Sequence, residues 1–257
     1  MSKVAVITGV RRIGFYVAQY LLNSGYHLAV LYKSSAQRVE ELKFYAESLG
    51  KELLPFEVDL TKPETYRGVP QRVFEHFGRI DALLNVASPF GRREFFEVRE
   101  EDLKFYFSAI VESAFILSQR CAEFMLKNSA PVKGRIVNFG DWSTAEGKPY
   151  KNFSPYLVAK GALDTLTKVL AVELAPHILV NEIALGPVLP PMLENGEKTD
   201  HWEGYIREKT LLGRPVGLDD ILSAVGFLLR AKSLTGEIIT LDSGQRFVGT
   251  LKGYLKD

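Results

Sequence analysis

Tyr156 and Lys160 stand four residues apart, at the start of an apolar, helix-compatible stretch that follows an apolar strand-like run at 135–139. A spacing of four puts both side chains on one helical face. On that face the Lys charge would lower the Tyr pKa from its usual value of about 10 towards the working pH, making the hydroxyl a usable proton donor. The pattern alone is weak, because Tyr205 and Lys209 repeat it in a polar segment that reads as a solvated helix face. Only the surrounding elements separate the two copies.

A second set of candidates lies near the N-terminus. Gly9, Val10, Arg11, Arg12, Ile13 and Gly14 link a first apolar strand to a helix. Glycines at such a turn let backbone approach a pyrophosphate, which the helix N-terminus then stabilises. At the end of the second strand a carboxylate would take a ribose 2′-hydroxyl and favour NAD; Lys33, Ser34 and Ser35 stand there instead, with Arg11 and Arg12 in the facing loop. That is chemistry for a 2′-phosphate, so NADP(H) is the expected cofactor. Asp59 and Leu60 close the third strand, where the carboxylate suits an adenine amino group. Asn85, Ala87 and Ser88 close the fourth, beside the cofactor at the carboxyl edge of the sheet.

The elements that must position these residues alternate from end to end. Strand patterns fall at 4–8, 27–32, 53–58, 82–85, 135–139, 180–184 and 237–242, and helical patterns at 14–23, 36–49, 64–77, 101–126, 155–174 and 218–229. Buried strands alternating with helices predict a Rossmann-like, doubly wound α/β fold: a seven-stranded parallel sheet with helices on both faces. At 257 residues the chain is expected to form a single domain over 1–257. One segment, 189–215, breaks the rhythm with Gly, Pro and polar residues and is expected to be a substrate-binding loop or lid. A net charge of +1 gives no electrostatic case for nucleic acid or a membrane surface. The single Cys121 excludes an intramolecular disulfide, fits a reducing, cytoplasmic setting and reads as a buried thiol. The four His are scattered without metal-ligand spacing, so no metal is expected.

Taken in order, Thr8-Gly9, Gly14, Asp59-Leu60, Asn85 to Ser88, Tyr156-x-x-x-Lys160, Asn181 and Gly186-Pro187-Val188 resemble the short-chain dehydrogenase/reductase family over essentially the whole chain. Within it, the motif details are similar to the pteridine reductases. The turn Arg12-Ile13-Gly14 resembles their Arg-Leu-Gly, and Asn85 to Phe90 resembles their Asn-Asn-Ala-Ser-Ser-Phe. The resemblance implies that Lys160 binds the nicotinamide ribose, Tyr156 is the general acid, and Gly186, Pro187 and Val188 bind the cofactor. It further implies that Phe90 stacks a pterin, with Trp142, Phe153, Met192, Leu193 and Trp202 as further aromatic or apolar lining. A homo-oligomer, tetramer or dimer, is implied as well.

The chain also departs from the family. The glycine turn is one residue short, and Leu185 replaces a usual Pro. The Asn that the family carries in its long middle helix to hold a water relay behind the Lys is absent; Ala109 or Ile110 stands there. The third catalytic position has two candidates. Thirteen residues before Tyr156 is Ser143, the type most of the family uses to polarise a carbonyl; three past Asn138 is Asp141, the type pteridine reductases use. Asp141 is favoured, with a two-residue insertion in 142–153, and Ser143 stays open. The expected activity is hydride transfer from NADPH to a pterin-like or carbonyl substrate. A reductase of 3-oxoacyl thioesters or other carbonyls is the alternative, and a non-catalytic NADP(H) sensor or scaffold a third reading.

Overall fold

The computed structural model describes residues 2–190 and 201–249. Seven strands form one parallel sheet in the order β3-β2-β1-β4-β5-β6-β7. They are β1 (Lys3–Thr8), β2 (Tyr26–Tyr32), β3 (Leu53–Glu57), β4 (Ala82–Asn85), β5 (Gly134–Asp141), β6 (Ile178–Leu185) and β7 (Ile238–Leu241). Strand direction and order match the sequence expectation, as do all seven strand positions to within three residues. The chain runs outward from β1 to β3 and then returns to the other side of β1. This leaves a crevice between the carboxyl ends of β1 and β4, where doubly wound sheets bind ligands.

The apolar strands explain the two layers. Along β1, Val4 and Val6 enter one core while Ala5 and Ile7 enter the other. The first core is covered by α4 (Val69–Phe77), α6 (Ser113–Met125) and α8 (Ser154–Glu173); the second by α1 (Ile13–Asn23), α2 (Ala36–Ser48) and α10 (Leu218–Arg230). Leu163, Leu166 and Leu170 of α8 are buried, each contributing about 2 kcal/mol by removal from water. That anchorage fixes the helix that carries Tyr156 and Lys160.

Two helical expectations are corrected. The pattern at 64–77 is two helices, α3 (Pro63–Tyr66) and α4, because Gly68 precedes Val69 and Pro70, which suit a helix start rather than an interior. The pattern at 101–126 is α5 (Glu100–Phe107), a π turn over Ser108–Glu112, and α6; Ser113 Oγ there donates to Ala109 O at 2.8 Å. Within the polar segment 189–215, Tyr205 and Lys209 lie on a helix as expected, α9 (Trp202–Lys209). A short α7 (Trp142–Ala145) follows β5 directly. No helix of the described residues is long and apolar enough to cross a membrane.

Candidate active site

Register decides what reaches the sheet edge. Asn85, the last residue of β4, pairs with Asn138 of β5, and β5 runs on through Phe139 and Gly140 to Asp141. Asp141 therefore projects beyond the neighbouring strand end, under the start of α8. Tyr156 Oη donates to Asp141 Oδ2 at 2.8 Å, and Tyr150 Oη donates to the same oxygen at 3.1 Å. Ser143 donates to Asp141 Oδ1 twice, from its backbone N (2.9 Å) and its Oγ (2.7 Å). Each carboxylate oxygen of Asp141 thus accepts two hydrogen bonds. Ser143 is fully buried beneath it and spends its hydroxyl on Asp141.

Lys160 is buried too, and its Nζ donates to Phe139 O at 2.5 Å while lying 5.8 Å from the centre of the Tyr156 ring. The expectation that Lys160 draws the Tyr156 pKa down is corrected here. The phenol is pushed well above its usual range, first by burial and then by the charge of Asp141 and by Tyr150. A phenol that donates to a carboxylate is held in its protonated form. Tyr150 is raised for the same reasons. Nothing in the local sequence singled out Tyr150; its position six residues before Tyr156 acquires meaning only through the turn between α7 and α8.

The aromatic residues divide. Phe90, more than half exposed, stacks on Phe153 (centroids 4.8 Å apart, 22° between planes) and meets Tyr156 edge-on at 5.1 Å. Trp142 is partly buried at the head of α7, and Trp202 stacks on Tyr205 within α9. Met192 and Leu193 lie outside the described residues.

At the β1 end, Gly9 has φ +73°, and a Cβ on it would come within 2.7 Å of Ala87 Cβ; a Cβ on Gly14 would come within 1.9 Å of Gly9 O. Thr8 Oγ1 accepts from the backbone N of Val86 and of Ala87, which fastens the β1 turn to the β4 end. Ile13 opens α1, whose N-cap residue Arg12 makes no side-chain cap; Phe15 N donates to Arg12 O (3.1 Å), and no side chain caps the turn against an approaching anion. Arg12 itself reaches across the cleft to donate to Leu189 O (3.1 Å) and Pro190 O (2.7 Å). Arg11 and Ser34 are exposed, and Ser35 is buried at the start of α2. Lys33, expected to face a phosphate, is engaged with Asp59 Oδ2 at 2.8 Å; that contact and two hydrogen bonds from Thr61 outweigh burial and bring Asp59 down to about 2. Leu60 packs on the first core, and exposed Ser88 donates to Pro89 O. Gly186 follows β6, where a Cβ would lie 2.7 Å from Asp242 Cα; Pro187 O accepts from Val216 N, and Val188 is buried.

Glycines without room for a side chain, an uncapped helix start and nearby cations at the sheet's reversal point fit a dinucleotide. Comparison with known proteins agrees. A family profile described as Enoyl-(Acyl carrier protein) reductase matches residues 9–246. The human 3-oxoacyl-[acyl-carrier-protein] reductase is 29% identical over 250 residues, covering 96% of this chain and 100% of its own. L-2,3-butanediol dehydrogenase of Corynebacterium glutamicum is 30% identical over 262 residues, covering 96% and 100%. The structure of FolM alternative dihydrofolate reductase 1 from Brucella canis, complexed with NADP, superposes with a TM-score of 0.86 at 26% identity, covering 99% of this chain and 98% of that one. The chain belongs to the short-chain dehydrogenase/reductase family and is an oxidoreductase of that class.

Proposed function

We propose that the protein is an NADP(H)-dependent reductase that prefers a pterin-like dihydropteridine, with Tyr156 as general acid. The observation that carries this reading is Asp141 against Tyr156. A carboxylate can only accept hydrogen bonds, as can a ketone oxygen, so Asp141 cannot polarise a carbonyl. A pterin presents amino and ring N–H donors, which a carboxylate suits. Ser143, the group that would serve a carbonyl, has its hydroxyl committed to Asp141. The Phe90–Phe153 stack beside Tyr156 supports a flat aromatic ligand. The similarity to an alternative dihydrofolate reductase supports the same class.

Gly9, Arg11, Arg12 and Ile13 would hold the pyrophosphate, and Lys33, Ser34 and Ser35 the 2′-phosphate. Asp59 and Leu60 would hold the adenine; Asn85, Ala87, Ser88, Gly186, Pro187 and Val188 would flank the nicotinamide. NADPH, when bound, supplies the hydride. Tyr156, kept protonated by burial and by Asp141, gives its Oη proton to the substrate nitrogen that gains negative character. Lys160 keeps a positive charge beneath the phenol, which favours the phenolate left behind. A substrate N–H would take the place of the Tyr156 hydroxyl on Asp141 Oδ2, which frees that O–H to turn to the substrate while Tyr150 keeps its 3.1 Å contact. The half-exposed apolar side chains Phe105, Phe107 and Phe115, together with Val158 and Val172 on α8, support a homo-oligomer joined through these helices.

The test is NADPH oxidation with dihydrobiopterin and dihydrofolate beside an acetoacetyl thioester, with NADH as the control. Turnover of the pterins with NADPH is expected. Turnover of the thioester alone would replace the proposal with a carbonyl reductase, and tight NADPH binding without turnover of any of them would make the protein a nucleotide sensor.

A further inference from the structure

Behind Lys160 lies a buried polar cluster that the proton delivery above does not use. Glu182 sits in the middle of β6, between buried apolar neighbours such as Val180 and Ile183, and is wholly shielded from solvent. It pairs in register with Asn138. A Cβ on Gly140 would lie 1.8 Å from Glu182 Oε1, so the carboxyl occupies the space that this glycine leaves open. Asn85 Nδ2 donates to Asn138 Oδ1 and Asn138 Nδ2 donates to Thr167 Oγ1, both at 2.9 Å. Thr167 Oγ1 then lies 2.6 Å from Glu182 Oε2 and 3.0 Å from Leu163 O. One hydroxyl hydrogen cannot serve both acceptors.

Asp164 follows Lys160 by four residues on α8 and is in hydrogen-bonding contact with Glu182. Glu182 Oε1 and Asp164 Oδ1 are buried and receive no N–H or O–H donor among the described residues. Two ionised carboxylates in such contact would repel one another at low dielectric, whereas a single proton between them satisfies both oxygens. Burial, and then the contact with Asp164, push the Glu182 carboxyl well above the usual carboxylate range.

We propose that Glu182 and Asp164 hold one proton between them and, as a pair of single negative charge, form the positioning counter-ion that keeps buried Lys160 protonated. This rests on the reading of Lys160 as the cation that supports Tyr156. The groups that act on Lys160 come from three elements: Glu182 from β6, Asp141 from β5 and Asp164 from α8. Burial favours the neutral amine, and these carboxylates oppose it. The pair also gives this chain a polar group behind the Lys where Ala109 and Ile110 provide no side-chain amide.

The proposal is tested by carbon-13 NMR of the full-length protein labelled at Glu and Asp side-chain carboxyls, with the carbonyl infrared band as a second probe. A protonated carboxyl persisting at about pH 8, far above ordinary carboxylate values, is expected, and it should vanish in Glu182→Gln. In pterin reduction, Glu182→Gln and Asp164→Asn each leave one negative charge. Together they leave none, so Lys160 loses its proton at lower pH. The alkaline limb of kcat should then move down by about one unit in the double variant and by less than half of that in either single variant. Absence of a protonated carboxyl in the wild type, or a double-variant limb that coincides with the wild type, would overturn the proposal. If the double variant does not fold, the labelled wild type and Glu182→Gln decide it. The NMR result is independent of turnover, so its failure is distinct from failure of the Tyr156 assignment.

Discussion

Tyr156/Lys160 and Tyr205/Lys209 share one spacing, and the tertiary structure gives them opposite fates. The first pair lies on α8, pressed against the sheet by buried leucines; Tyr156 is 6% exposed and Lys160 3%. The second lies on α9, where Tyr205 is 43% exposed, accepts a hydrogen bond from Gln245 Nε2 at 3.0 Å and stacks on Trp202. Among the described residues, only the first phenol meets a carboxylate, and only the first ammonium is buried and given a backbone carbonyl. In water a charge four residues away does little to a phenol. In the interior, burial and Asp141 dominate it. A sequence pattern becomes a site when the fold removes solvent from it.

The largest expected difference between the two copies comes from removing the hydroxyls. Tyr156→Phe should lower turnover by about a thousandfold while NADPH affinity stays within about twofold. Tyr205→Phe should leave both within about twofold and stability within about 0.5 kcal/mol. Steady-state kinetics and fluorescence titration read these directly, and equal rates for wild type and Tyr156→Phe would dissolve the contrast.

Asp141 is what the second copy lacks, so its charge sharpens the comparison next. Asp141→Asn should lower kcat for a pterin by about ten- to a hundredfold. Its effect on pH has a definite sign. The carboxylate raises the pKa of Tyr156 and opposes loss of the Lys160 proton, and reduction needs both groups protonated, so activity is lost as pH rises through the lower of the two. Removing the charge lowers both and moves the alkaline limb to lower pH. A limb that stays fixed or moves upward would show that another group controls it.

Smaller effects belong to the nucleotide end. Gly9→Ala combines a positive φ with the approach to Ala87 and should cost about 1–3 kcal/mol in stability and weaken NADPH binding, as read by thermal unfolding with and without the cofactor. Lys33→Ala should narrow the preference for NADPH over NADH by about tenfold. It also removes the Asp59 contact. Because Asp59 is depressed from 3.8 to about 2, that contact stabilises the fold above the upper value and is lost as pH falls through the lower one. Lys33 is 65% exposed, so solvent screening keeps the contribution within about 1 kcal/mol.

Much of this was legible in the chain. Apolar β-branched runs can lie only in a sheet covered on both faces, so the seven strands and their parallel winding followed from composition and spacing. Gly9, Gly14 and Gly186 stand where backbone approaches leave no room for a side chain. The lean to Asp141 over Ser143 needed a two-residue insertion, because the counts from Asn138 and from Tyr156 disagree; the contact of Asp141 with the phenol depends on the register of β5 and the placement of α7. The direction of the Tyr156 shift was also hidden, since it depends on how far burial and a carboxylate outweigh a cation. Glu182 did leave a trace, an acid beside Asn181 in a strand whose other residues are apolar. Spacing along a chain dictates which side chains share a face of one element. Contacts among β5, β6 and α8 depend on strand register and on which surfaces exclude water, and those are properties of the packed molecule.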